Sequence, residues 1–233
     1  MKISISSNIE QVIKGMQAKQ KQVTFATALA LTKTAMAVRA AIPAGLERQL
    51  DRPTAFTKSG TYLKRAERTN LVAEVGFREI QSKYLQLQAE GGTRSPGAGG
   101  IRLPGNIQLN GFGNVPRGLV TKLKAAAQNG TLAPTIVKRL GVTGTRRKGA
   151  APIQLFYGIP QGKGWESAPM GIWRRVPGIN GSPGKLIPVI LFEDTPAKYT
   201  KRLDLMAIAK PVVDTEFTRE FEAALTQALA TAR

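Results

Sequence analysis

The chain has 233 residues and a mass of 25.0 kDa, with 34 Lys and Arg against 15 Asp and Glu, a formal charge of +19 and neither cysteine nor histidine. That composition excludes a thiolate nucleophile, a disulfide framework, an imidazole base and a Cys/His zinc site. The hydrophobic fraction of 42% is ordinary for a globular protein, and so large a positive charge repels itself unless nucleic acid, an anionic membrane or an acidic partner neutralises it.

The N-terminus, Met1-Lys2-Ile3-Ser4, lacks a compact apolar signal segment. A helix is predicted from about Asn8. Ser7 and Glu10 fit a capping box, and Ile9, Val12, Ile13 and Met16 follow at helical spacing. From Phe25 to Ile42 the pattern turns apolar on most of the circumference, with Leu29, Leu31, Met36 and Val38 interleaved with Ala26, Ala28, Ala30, Ala35 and Ala37. Such a helix is buried on most sides, and alanine lets another backbone come close. Thr27, Thr32, Lys33, Thr34 and Arg39 interrupt the run, so it falls short of the roughly 18 apolar residues of a membrane span. Pro43 and Gly45 are expected to stop the helix, which from Asn8 would extend on the order of 50 Å and protrude from one core or bridge to another chain.

Asp51 to Asn70 is polar and basic, with breakers at Pro53 and Gly60. Leu71 to Phe77 reads as a strand, and Glu79 to Glu90 as a helix with Ile80, Tyr84 and Leu87 on one face, ended by Gly91-Gly92. Gly91 to Pro116 holds 8 Gly and 3 Pro in 26 residues and reads as an extended arm. A short basic helix over Arg117–Gln128 and a turn or two of helix over Thr135–Leu140 lead into a basic loop, residues 141–152. Three strands follow, Ile153–Ile159, Gly171–Val176 and Lys185–Phe192, with Pro188 placing the last at an edge or a bulge. A closing helix is predicted from about Pro211, with Val213, Phe217, Phe221, Leu225 and Leu229 in one stripe. The architecture is therefore α+β in a single domain, 1–233: a long N-terminal helix (1–45), a mainly antiparallel sheet, a C-terminal packing helix and long Gly-rich loops.

The basic surplus is concentrated in the middle, where residues 61–150 hold 15 basic and 4 acidic side chains. Arg94, Arg102, Arg146, Arg147 and Lys148 fall in loops that a rigid core need not bury, as in a surface facing phosphate. No zinc-finger spacing, basic heptad helix or RNP-like aromatic signature points to sequence-specific readout. Enzyme signatures are weak. Gly111-Phe112-Gly113 has Pro116 where a dinucleotide fingerprint needs its third glycine, and Gly162-Lys163-Gly164 lacks a Walker frame. Glu193-Asp194 reads as a turn or helix cap more readily than as a metal site. Glu166 beside Trp165 would have a raised pKa if buried, without any partner placed to use it. No catalytic, cofactor-binding or metal-binding residue is assigned.

Read together, four stretches resemble a known group: FATALALTKTAMAVRAAI (Phe25–Ile42), DRPTAFTKSGTYLKRAERTNLVAEVGF (Asp51–Phe77), YLQLQAEGGTR (Tyr84–Arg94), and the closing strand, Tyr199 and helix EFTREFEAALTQAL. In this order they are similar to the minor tail protein Z and neck or tail-completion proteins of tailed bacteriophages. The resemblance implies a non-enzymatic virion protein of the head–tail junction or upper tail, assembled in the host cytoplasm. It implies a homo-oligomeric ring, six-fold or related, between neighbouring connector and tail proteins and around double-stranded DNA contacted without sequence preference, with no cofactor and no membrane. On this reading Phe25, Leu29, Leu31, Ala35, Met36, Ala37 and Val38 form the subunit interface, and the five loop cations above face DNA. The alternative is a free, sequence-independent nucleic-acid-binding or packaging accessory protein.

Overall fold

The computed structural model describes residues 1–6, 20–97, 99–130, 132, 134–140, 153–178 and 184–230. The α+β class holds, with a long N-terminal helix, antiparallel sheets and a C-terminal helix packed on the first. Where the sequence pointed to a single domain, the chain divides into two compact units, residues 1–92 with 199–233, and residues 93–198.

The first unit is built on a three-stranded antiparallel sheet of β1 (Lys2–Ser6), β2 (Thr61–Lys64) and β3 (Val72–Phe77), with β3 in the centre. Ile3 stands opposite Val75 and Ile5 opposite Ala73, so the period-two alternation of β1 turns both isoleucines into the core. Helix α1 (Gln20–Gln49) supplies Leu31, Ala35, Val38, Ile42 and Leu46, all fully buried against that sheet. At 30 residues it is about 45 Å long. Helices α2 (Ala55–Lys58) and α3 (Glu79–Glu90) flank the sheet, and α6 (Leu205–Ala230) runs antiparallel to α1. Beyond the sheet core, the N-terminal half of α1 meets α6 through an alanine seam of Ala26, Ala224 and Ala228.

Several local expectations are corrected. Met1 to Ser6 carries a strand, and residues 7–19 of the predicted helix lie outside the described residues. Pro43 and Gly45 do not end α1, which continues to Gln49. A proline inside a helix costs about 3 kcal/mol through its missing N–H. Here Ile42 and Leu46 on either side are fully buried, and that packing outweighs the local preference. Gly45 lets α6 come close, since a Cβ there would overlap the Ile208 side chain. Helix α6 likewise starts at Leu205, leaving Pro211 inside it. Asp204 is its cap, the Oδ1 accepting from the Met206 and Ala207 N–H at 3.0 and 3.1 Å. On α3 the buried stripe is Gln81, Leu85 and Ala89, while Ile80 and Tyr84 face outward. Gln81 can be buried because its amide donates to the Phe56 carbonyl, a partner that hydropathy does not reveal.

By length and composition, residues 21–49 of α1 would suffice to cross a bilayer, contrary to the apolar-run estimate. In this fold 56% of the 18-residue apolar window within that stretch is buried inside the protein, as expected of an alanine-rich core helix.

The second unit holds a four-stranded antiparallel sheet in the order β5 (Ile101–Pro104), β8 (Lys185–Glu193), β7 (Gly171–Val176), β6 (Gln154–Gly158). A two-stranded ladder of β4 (Gly92–Arg94) and β9 (Ala197–Tyr199) accompanies it. The Gly-rich arm is thus not wholly extended. It contributes β4 and β5, and Ile107 and Val115 pack onto the same core. Pro188 lies in an interior strand, where a bulge accommodates it: Ile172 pairs with Ile190 but Trp173 with Pro188, leaving Val189 extra. Helix α4 (Leu119–Asn129), closed by Gly130 in the left-handed conformation, and α5 (Pro134–Arg139) cover one sheet face through Leu123, Ile136, Ile172 and Ile190.

Candidate functional site

The two units differ sharply in charge. Residues 93–198 carry 15 Lys and Arg against 3 Asp and Glu, a net +12, whereas the rest of the chain carries 19 against 12, a net +7. Among the described residues, every ion pair lies in the first unit, from Lys2–Glu74 to Lys33–Glu220 and Lys210–Asp214. Three cations of the second unit rest on aromatic faces or carbonyls instead. Lys124 on α4 donates to the Tyr157 hydroxyl at 3.0 Å and sits 4.5 and 4.7 Å from the Tyr157 and Phe192 ring centres. Arg174 donates to the Leu140 carbonyl, and the Arg175 guanidinium lies 5.3 Å from the Phe156 ring centre. Such contacts hold a guanidinium or ammonium in place without neutralising it, so its field stays available to an anion.

The expected DNA-facing residues fall into two groups. Arg94, at the end of β4, and Arg102, on edge strand β5, are exposed in the basic unit. Arg102 stands opposite Phe192, so it shares a sheet face with Lys124. Arg146, Arg147 and Lys148 lie outside the described residues. Sequence reading missed Lys124, Arg174 and Arg175. The adjacent arginines 174 and 175 carry a readable signal, because neighbours in a strand point to opposite faces and place one cation on each side of the sheet.

The expected interface residues also divide. Leu31, Ala35 and Val38 are fully buried in the unit's own core and cannot meet another subunit without unfolding it. Phe25 and Met36 are 38% and 42% exposed; Leu29 and Ala37 are half-buried. Phe25, Leu29 and Met36 fall on one helical stripe. The first two line a groove of about 350 Å³ with Thr32, Arg65 and Arg68, and the Arg68 guanidinium lies 4.9 Å from the Phe25 ring centre.

Two further clefts follow β6. One, of about 550 Å³, opens on the face away from α4 and is lined by Phe156, Pro160, Arg175, Lys185 and Leu186. The other, of about 580 Å³, lies between the end of α4 and β6, against Ala127, Leu155 and Tyr157. The carboxylates considered for catalysis make local turns. Glu166 is exposed and accepts the Gly164 N–H, which lowers its pKa rather than raising it, and Glu193 accepts from the Thr195 hydroxyl. Among the described residues, no three Asp or Glu gather as a metal site.

Compared with protein-family models, curated proteins and solved structures, the chain matches none. The functional reading therefore stands on residues, charge and surface.

Proposed function

We propose that the chain is a non-enzymatic structural subunit of a tailed-bacteriophage particle at the head–tail junction, closing as a ring around the DNA path. The observation that carries this reading is the segregation of charge: a basic unit with 15 cations and 3 acids is joined to a unit with 19 cations and 12 acids, which holds every ion pair found among the described residues. A channel wall contacts phosphate without reading sequence, which needs unneutralised cations and no base-specific device. A ring subunit also needs apolar surface outside its own core, and exposed Phe25 and Met36, on one stripe of α1, supply it. The resemblance of the four sequence stretches points to the same role.

The test is absolute mass by light scattering after nuclease treatment, at moderate and high salt. A salt-resistant mass of a closed ring is expected, reduced to the monomer by Phe25→Glu with Met36→Glu while circular dichroism stays unchanged. The same charge segregation favours a second reading, a free nucleic-acid-binding accessory protein. A monomer that binds added DNA only at low salt would select that reading, and a monomer indifferent to DNA would remove both.

A further inference from the structure

We propose that β6 is a docking edge, to which an extended acidic segment of a partner protein adds as a fifth strand. Strand β6 ends the sheet, and among the described residues it pairs with β7 and no other strand. Its outward backbone groups therefore offer a ladder to an incoming chain. The sheet's two edges are unlike. Edge strand β5 carries Arg102 and Pro104, and a charge and a proline are the usual means of blocking edge pairing. The β6 sequence, Gln-Leu-Phe-Tyr-Gly, has neither, and its register with β7 runs from Gln154 to Gly158 without a bulge.

The surroundings of β6 suit alternate side chains of an added strand, which point to opposite faces. Side chains on the side away from α4 enter the cleft of about 550 Å³, where the Arg175 guanidinium lies over Phe156, and Lys185 and Leu186 also line the walls. Those on the other side enter the groove of about 580 Å³ against Ala127, Leu155 and Tyr157. Acidic residues at every second position, alternating with apolar ones, match this pair of clefts. The choice of an acidic partner follows from charge, because the whole unit holds only 3 acids among 15 cations. The inference does not depend on ring formation and stands or falls separately from it.

The experiment is selection of a random ten-residue peptide display library on the immobilised, nuclease-treated full chain at moderate salt. The expected consensus alternates Asp or Glu with apolar residues. A synthetic peptide of that consensus should slow amide hydrogen exchange over residues 155–158. It should lose at least tenfold in affinity for Arg175→Glu and, as an independent check on folding effects, for Lys185→Glu. No enrichment, an acid-free consensus, or binding that leaves β6 exchange unchanged would overturn the proposal. So would protection of β6 by raised protein concentration alone, which assigns the edge to a second copy, or by added duplex DNA that the peptide does not displace.

Discussion

Thr34 shows how little a single buried group needs in order to matter. It is fully buried on α1, and its Oγ1 has no hydrogen-bond partner among the described residues. A buried hydroxyl without a partner loses its hydration for nothing in return. Thr34→Val keeps the shape and removes that loss, so it should raise the unfolding free energy by about 1 kcal/mol. Urea denaturation checks it, and an unchanged or lowered midpoint would refute it. Lys33, one position earlier, acts by charge. Its ammonium, and secondarily the Arg219 guanidinium, hold the Glu220 carboxyl below the ordinary glutamate range. A carboxyl lowered by folding adds stability above its unfolded pKa and loses it as pH falls through the folded value. Lys33→Met should therefore flatten the acid limb of stability against pH, from the ordinary glutamate range downward. Denaturation midpoints between pH 7 and 3 that parallel the wild type would exclude this coupling.

At the scale of elements, the two long helices depend on each other. The Gln49 side chain, ending α1, donates to the Asp204 carbonyl at 3.1 Å and accepts the Asp204 N–H at 2.7 Å, while Asp204 caps α6. Asp204→Ala should cost about 1 kcal/mol, the usual loss for a cap, with helical circular dichroism otherwise retained. Gln49→Ala combined with it should cost less than the sum of the two alone, because both changes disturb one network. Strict additivity would show that the clamp and the cap are independent. This pairing also accounts for the missed boundaries. Pro43 is a local stop signal and Pro211 a local start signal, but core packing continues across both, through Ile42 and Leu46 at one and Ile208, Val212 and Val213 at the other.

For the whole molecule the consequence is electrostatic. If the basic unit faces phosphate through Arg94 and Arg102, replacing both by glutamate should weaken binding to unrelated DNA sequences equally. The slope of log affinity against log salt should fall by about 2, one for each lost phosphate contact. Retained slope and affinity would take both residues off the DNA surface. Exposed at β4 and β5, they should leave the unfolding midpoint nearly unchanged. The interface expectation is sharpened in the same way. Ala35→Leu would overpack a filled core and report on folding, whereas Met36, 42% exposed, reports on assembly.

The sequence by itself determined the α+β class, the α3 span Glu79–Glu90, strands close to β3, β6, β7 and β8, and the basic excess of the middle region. These follow from local periodicity, turn residues and composition, which neighbouring residues carry among themselves. Only the tertiary structure decided that β1 exists, since five residues with two isoleucines become a strand when β3 lies beside them. It alone turned Gln81 inward through a partner 25 residues away, closed part of the Gly-rich arm into β5, and gathered the acid-poor segment into one unit. It also separated Leu31, Ala35 and Val38, fully buried, from Phe25 and Met36, which reach solvent. All five residues are apolar members of one helix, and only the location of the sheet and of α6 decides which of its sides is already covered.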